Sequence, residues 1–346
     1  MKKERQERYF FVRCFIVRQK QIGFLCIALT TVLFSLMEIA LKGVSVHFHP
    51  FQMNFTRFFI GALVLLPFAL YKLNHRPADA PKLTAKALGK MALLGFIGIF
   101  ISMTFYQLSV MRTDASVVAI LFSSNPLFVM LFASMFLGEP IRKHNVAALV
   151  LELLGILVIV SPWDLRLDAG GVLFVFIAVL TFALYGVLGK KEGAKYGAIV
   201  TTCFGFFFGS IEMMAAAALT HVPRIAAFLE TTPLHTFANV PFFTGYSPEI
   251  IPAFLFVCIG VTGIGFASYF LAMEYTSAAA TSLVFFLKPV LATVFAVILI
   301  GEEVPGNRVI GIVIIVAASL VNLTPVMQGL LAGQRRGSPV RQKKEP

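Results

Sequence analysis

Lys288 stands about half-way along an apolar run at 277–300, and Asn125 holds the equivalent place in a run at 115–137. An ionised group at mid-bilayer costs about 3 kcal/mol on insertion scales, so it needs a polar interior or a partner. Each of the two residues precedes a proline, Pro126 or Pro289. A proline lacks its N–H and clashes with the preceding turn, so a helix break with a freed carbonyl is expected at both. An amine and an amide beside opened backbone suit a carboxylate or another polar head group. The alternative is that Lys288 pairs with a glutamate inside the protein and only fixes packing. Tyr106 and Tyr269 offer ring faces and hydroxyls to the same site, or serve as core tyrosines.

A second set is Glu38, Lys42 and Arg57, in the runs at 22–43 and 51–72. Glu38 and Lys42 are four apart on one helical face, the spacing of an ion pair. The set reads as an external gate, a coupling-ion site or a structural pair. Glu152, mid-way along 145–162, is a carboxyl able to take up and release a proton, or a packing residue. Glu139 and Glu302 each follow a glycine and read as loop structure. Gly205 and Gly209, spaced as GxxxG, and Gly260, Gly263 and Gly265 allow close helix approach.

Catalysis has little to stand on. The four aspartates and six histidines lie in loops or at the edges of apolar runs, with no HExxH pattern. No phosphate-binding loop is visible. Cys14, Cys26, Cys203 and Cys258 have neither disulfide nor zinc spacing. Neither a metal nor a cofactor is expected.

These residues need elements to hold them. Of 346 residues 58% are hydrophobic and 13% charged, against roughly 25% charged in a soluble domain, so lipid must be the solvent. Mean hydropathy is +0.85. Apolar stretches fall near 22–43, 51–72, 90–111, 115–137, 145–162, 170–189, 197–220, 250–273, 277–300 and 308–326. Each is long and continuous enough for a membrane helix, unlike the alternating strands of a barrel. The net charge of +12 would hint at nucleic acid in a soluble chain. Here 22 of the 29 basic residues fall in the tails and alternate loops if the N-terminus is cytoplasmic, so the positive-inside rule explains them. Both termini are therefore expected in the cytoplasm of a multi-pass cell-membrane protein. The expected partners are the bilayer and a small-molecule substrate, with a homodimer left open, and not nucleic acid.

Residues 106–162 align with 269–325 at a constant offset of 163, with 15 of 57 pairs identical. Tyr106/Tyr269, Thr113/Thr276, Pro126/Pro289, Gly138/Gly301 and Glu139/Glu302 are among them. Composition bias matches Ala, Leu and Val, but not this set in one register, so duplication is inferred. Five runs per repeat is an odd number, which inverts the second half in the membrane. The expected architecture is all-α: ten transmembrane helices as two inverted five-helix repeats. The expected parts are a basic tail (1–21), a first half (22–162), a second half (163–326) and a basic tail (327–346).

Phe105-Tyr106-Gln107-Leu108, Ser124-Asn125-Pro126-Leu127 and Leu137-Gly138-Glu139-Pro140 recur in the second half as Ser268-Tyr269-Phe270-Leu271, Leu287-Lys288-Pro289-Val290 and Ile300-Gly301-Glu302-Glu303. On these motifs the chain resembles the EamA-type transporters of the drug/metabolite transporter superfamily over about 22–326. It departs from them at Lys288, where the second repeat often has Glu or a neutral residue. The resemblance implies a secondary, non-ATP transporter working by alternating access. It also implies a central cavity lined by spans 1, 3, 4, 6, 8 and 9, and export of an amino-acid-like or amphiphilic metabolite. A channel or facilitator is the alternative, with an intramembrane enzyme further behind.

Overall fold

The computed structural model describes residues 2–77, 80–138, 141, 143–160, 168–232, 235–276, 281 and 283–335. The described residues are helical, with no strand among them. Helix α1 covers Lys2–Ser45, α2 Pro50–Asn74 and α3 Ala85–Arg112. Helices α4 (Ala115–Phe122) and α5 (Asn125–Leu137) follow, then α6 (Lys143–Val160), α7 (Ala169–Tyr196) and α8 (Ala198–Leu219). A short α9 (Pro223–Glu230) leads to α10 (Ile251–Tyr275), α11 (Leu283–Ile300) and α12 (Gly306–Arg335). The basic stretch expected as a tail is thus helical from Lys2 and runs on into the first apolar segment.

Among the described residues seven helical stretches are long and apolar enough to cross a membrane: Gln21–Ser45, Pro50–Asn74, Ala85–Arg112, Ala115–Phe136 (α4 with α5), Ala169–Tyr196, Ala198–Leu219 and Ile251–Tyr275. Three further expected spans coincide with shorter apolar helices, Val146–Ile159, Leu287–Ile300 and Gly306–Ala318. These apolar stretches lie within the longer helices α6, α11 and α12. Side chains turned outward are themselves apolar, as Leu25, Phe68, Ile298 and Val313 show, which suits acyl chains and no aqueous surface.

Helix pairing follows the small residues. Helix α2 lies along α8, α1 along α10 and α11, α3 along α7 and α8, and α6 along α12. At the α3–α8 crossing a Cβ on Gly95 would lie 2.5 Å from the Gly205 carbonyl oxygen, and one on Gly209 would lie 2.8 Å from the Gly95 oxygen. The Gly205/Gly209 spacing therefore seats Gly95, as GxxxG packing requires. Gly155 and Gly311 meet in the same way between α6 and α12.

Two helices widen locally. Helix α3 is a π-helix over Phe96–Ser102 and α10 over Phe256–Gly265. At the 163-residue offset the first segment falls at 259–265, inside the second. In α10 the Thr262 hydroxyl donates to the Val257 carbonyl at 2.8 Å, occupying an acceptor of the widened turn.

The two prolines behave differently. After α4 the chain turns through Ser123 and Ser124, whose hydroxyls donate to the carbonyls of Ala119 and Leu121 at 2.7 Å each, and Pro126 opens α5. Pro289 instead lies inside α11, which is continuous through it. The expected break is therefore present at Pro126 and absent at Pro289. The Thr293 hydroxyl reaches back to the Pro289 carbonyl at 2.8 Å, and Ser35 donates to the Lys288 carbonyl at 3.4 Å.

Ion pairs show which helix ends lie together. Lys72 meets Glu274 at 2.8 Å and Lys90 meets Glu192 at 3.0 Å, joining α2 to α10 and α3 to α7 at one end. At the other end, where α1 finishes, Arg112 lies 3.7 Å from Asp168. There too Arg308 of α12 bonds Asp114 and the Glu302 carboxylate (3.2 Å).

Candidate functional site

Glu38, Arg57 and Lys288 are charged side chains with no solvent exposure, on α1, α2 and α11. Glu38, Arg57 and Tyr106 each lie six or seven residues from the end of their helix, about 10 Å deep at 1.5 Å per residue. The group thus sits roughly a third of the way in from the end where α1 finishes.

Lys288 reaches Glu38 with Nζ 2.5 Å from Oε1. The Tyr106 hydroxyl donates to the same oxygen at 2.5 Å. The ammonium makes this ion pair without any well-directed hydrogen bond. It rests against the rings of Phe122 and Tyr106, 5.0 and 5.9 Å from their centroids, a cation–π setting that is strongest where water is excluded. Phe122 ends α4 just before the break, so the interruption at Pro126 leaves an aromatic face for Lys288. The second carboxylate oxygen, Oε2, has no partner.

The expected Glu38–Lys42 pair is not formed. Lys42 lies one turn nearer the helix end and is drawn to the end groups: its Nζ is 3.8 Å from Asp114 Oδ1 and donates to the Thr113 carbonyl at 3.3 Å. Glu38 faces inward to α11 and α3. The helical spacing permits the pair, but each side chain takes a partner outside α1, Lys288 for Glu38 and Asp114 for Lys42.

Arg57 has a different environment. Its Nε donates to Asn54 Oδ1 at 3.0 Å, and Asn54 Nδ2 donates to the Met103 carbonyl at 2.6 Å, tying α2 to α3. The guanidinium lies 4.5 Å over the Phe58 ring and within electrostatic reach of Tyr106 and Cys258. Both Nη1 and Nη2 are buried without a partner among the described residues.

The other expected site residues are dispersed. Asn125 is buried and turns to α7, Nδ2 reaching the Val179 carbonyl at 3.5 Å. Tyr269 is 8% exposed and packs on Phe34, Phe270 and Phe285. Tyr106 alone of the two tyrosines joins the charged group. Glu152 lies in α6, and its side chain falls outside the described residues. Glu139 falls outside them as well. Glu302 does more than shape a loop, since its Oε1 takes both the Ser116 hydroxyl and Arg308. Asn54 and Gln107 are further buried amides that the sequence did not single out, because neither precedes a proline as Asn125 does. Amides in such runs carry the same signal, and Gln107 stands beside Tyr106 in the sequence.

Above the site, Lys42, Asp114, Ser116, Glu302 and Arg308 form one polar network between α1, the α3–α4 turn and the α11–α12 turn. A small apolar cluster of Ile39, Ala115 and Ala296 is built on the same helices just below it. Among the described residues no group of three or more His, Cys, Asp or Glu could hold a metal ion.

Comparison with known proteins gives this arrangement a context. The model of the EamA-like transporter family matches residues 21–161 and 169–324. An uncharacterized transporter of Clostridium kluyveri is 33% identical over 308 residues, spanning 87% of this chain and 92% of its own. Protein PecM of Dickeya dadantii is 26% identical over 227 residues, 65% of this chain and 69% of that one. The inner membrane transporter YedA of Escherichia coli is 25% identical over 227 residues, 60% and 70% respectively. One crystal structure superposes at a TM-score of 0.61 with 19% identity, over 90% of this chain and 98% of that chain, and shares the fold. Apolar membrane-length helices and transporter relatives define a multi-pass membrane transporter. Within that class the chain belongs to the EamA-like transporter family.

Proposed function

We propose that this chain is a secondary transporter that exports a small, amino-acid-like or amphiphilic metabolite across the cytoplasmic membrane by alternating access. The observation that carries the reading is the Glu38–Lys288–Tyr106 group, sealed from solvent about 10 Å below an ion-pair network. Burying three ionisable side chains in apolar helices is costly and is characteristic of a transport path. A carrier needs such groups to be reached from one side at a time.

Ten spans in two inverted five-helix halves fit the seven long helices, the three shorter ones and the register-matched π segments of α3 and α10. Both termini are then cytoplasmic, and the Arg308 network closes the outer end. Lys72–Glu274 and Lys90–Glu192 tie the cytoplasmic end. Glu38 is the coupling group of this scheme, because it is the buried carboxylate that holds Lys288 and Tyr106 together. Glu152 is a second coupling candidate, and Lys42 belongs to the gate.

The test is uptake into proteoliposomes of labelled amino acids and aromatic acids, with and without a pH gradient. Saturable uptake that is accelerated by unlabelled solute on the far side supports a carrier. Flux that rises linearly with concentration, with no such acceleration, refutes it in favour of a channel.

A further inference from the structure

We propose that Arg57 is the anchor of an anion site that takes the carboxylate of the transported solute, while Lys288 is held by Glu38. This rests on the transporter reading above and names its substrate class. Three observations converge on it. First, the charges do not balance: among the described residues the fully buried ionisable groups with a formal charge are one carboxylate, Glu38, and two cations, Arg57 and Lys288. Glu38 lies 2.5 Å from Lys288 and is thereby spent, which leaves the guanidinium without a counter-charge. Burying an uncompensated charge is among the most expensive things a fold can do, so a missing anion is the direct reading.

Second, the guanidinium is prepared for a planar partner. Asn54, itself fixed by the Met103 carbonyl, holds Nε at 3.0 Å, and the Phe58 ring lies 4.5 Å away under the plane. The rotamer is thus set on one edge and one face. The two remaining nitrogens, Nη1 and Nη2, are buried and unpartnered. Two parallel N–H donors at fixed spacing match the two oxygens of a carboxylate.

Third, Gln107 is fully buried with both amide atoms, Oε1 and Nε2, unpartnered. It follows Met103 by one turn on α3, the helix that Asn54 grips. A buried amide normally finds partners, so a second orphan on that helix points to a ligand with further polar groups. The amino group of an amino acid would satisfy Oε1. Both side chains, Arg57 and Gln107, are fully buried in this conformation, so the anion enters when the helices around them part.

The test uses the full-length protein in nanodiscs and three pairs of probes at equal ionic strength: benzoate and benzamide, L-leucine and L-leucinamide, L-phenylalanine and L-phenylalaninamide. Thermal unfolding is followed against concentration. At least one carboxylate is expected to raise the unfolding temperature saturably while its amide does not. R57Q should weaken that carboxylate at least tenfold, and R57K should fall between, since it keeps the charge but loses the fork. Without ligand, R57Q should unfold at or above the temperature of the unmodified protein, because an unpaired buried charge has been removed. Equal effects of acids and amides, no effect of any acid, undiminished binding by R57Q, or loss of unliganded stability in R57Q and R57K alike would each overturn the site. The two readings separate in proteoliposomes. Carboxylate binding without flux removes the carrier and leaves the site. Flux of neutral or cationic solutes that R57Q does not change removes the site and leaves the carrier.

Discussion

Replacing Lys288 by methionine leaves the Glu38 carboxylate buried with only the Tyr106 hydroxyl for company. The lost attraction is large: at 2.5 Å and an effective dielectric constant of about 20 it is about 7 kcal/mol. Desolvation of the two ions offsets much of this in the intact protein, but not in a variant that keeps one ion. Removing one partner of a buried pair costs about 3–5 kcal/mol, whereas an apolar replacement of both is close to neutral. At about 2–4 °C per kcal/mol, Lys288→Met and Glu38→Gln should each lower the unfolding temperature by about 6–20 °C. The double variant should return to within a few degrees of the unmodified protein, and carrier flux should be absent from all three. Thermal unfolding in nanodiscs and flux in proteoliposomes give both readings. A double variant whose loss equals the sum of the single losses would show that the two charges are not coupled. A double variant that transports normally would reduce the pair to a packing device.

Three further outcomes follow from the structure. Gly95→Leu should lower the unfolding temperature markedly, because even a Cβ there meets Gly205 and Gly209 backbone at 2.5–2.6 Å, while Gly89→Ala, with nothing within 4 Å, should not; equal effects would refute the glycine seat. Arg308→Gln should open the outer network, so that Cys introduced for the fully buried Ala296 reacts at least tenfold faster with an impermeant maleimide in a background lacking the native cysteines; an unchanged rate would remove the gate. His49 caps α2 by accepting from the Phe51 N–H at 3.2 Å while its Nε2 lies 2.8 Å from the Thr236 carbonyl, and burial lowers its pKa. The undocked imidazole then binds a proton more readily than the docked one, so docking weakens as pH falls through about 6.5. Hydrogen exchange at 235–250, corrected for intrinsic rate, should speed up between pH 7.5 and 5.5, and His49→Gln should flatten that dependence; a slope unaffected by the substitution would refute the link.

The sequence alone determined the class of solvent, the helical form and nearly every long helix, because hydropathy and the need to satisfy backbone in lipid act locally. It also located the break at Pro126 and the glycine spacing on α8, since both are written within a few residues. Glu38, Arg57, Tyr106 and Lys288 each stood out, because an ionisable or hydroxyl group in an apolar run is conspicuous by itself, but they were read as two separate sets. Who pairs with whom was not legible. Glu38 is four residues from Lys42 and 250 from Lys288, and only the packing of α11 on α1 decided for the distant partner. Tyr106 and Tyr269 are equivalent by repeat, yet packing sent one to the carboxylate and the other to Phe34 and Phe285. The repeat-matched prolines differ too: Pro126 opens α5 after a break, whereas α11 runs continuously through Pro289. The unbalanced charge on Arg57 emerged only once Lys288 was seen to be taken, because a counter-ion is a property of three-dimensional neighbours.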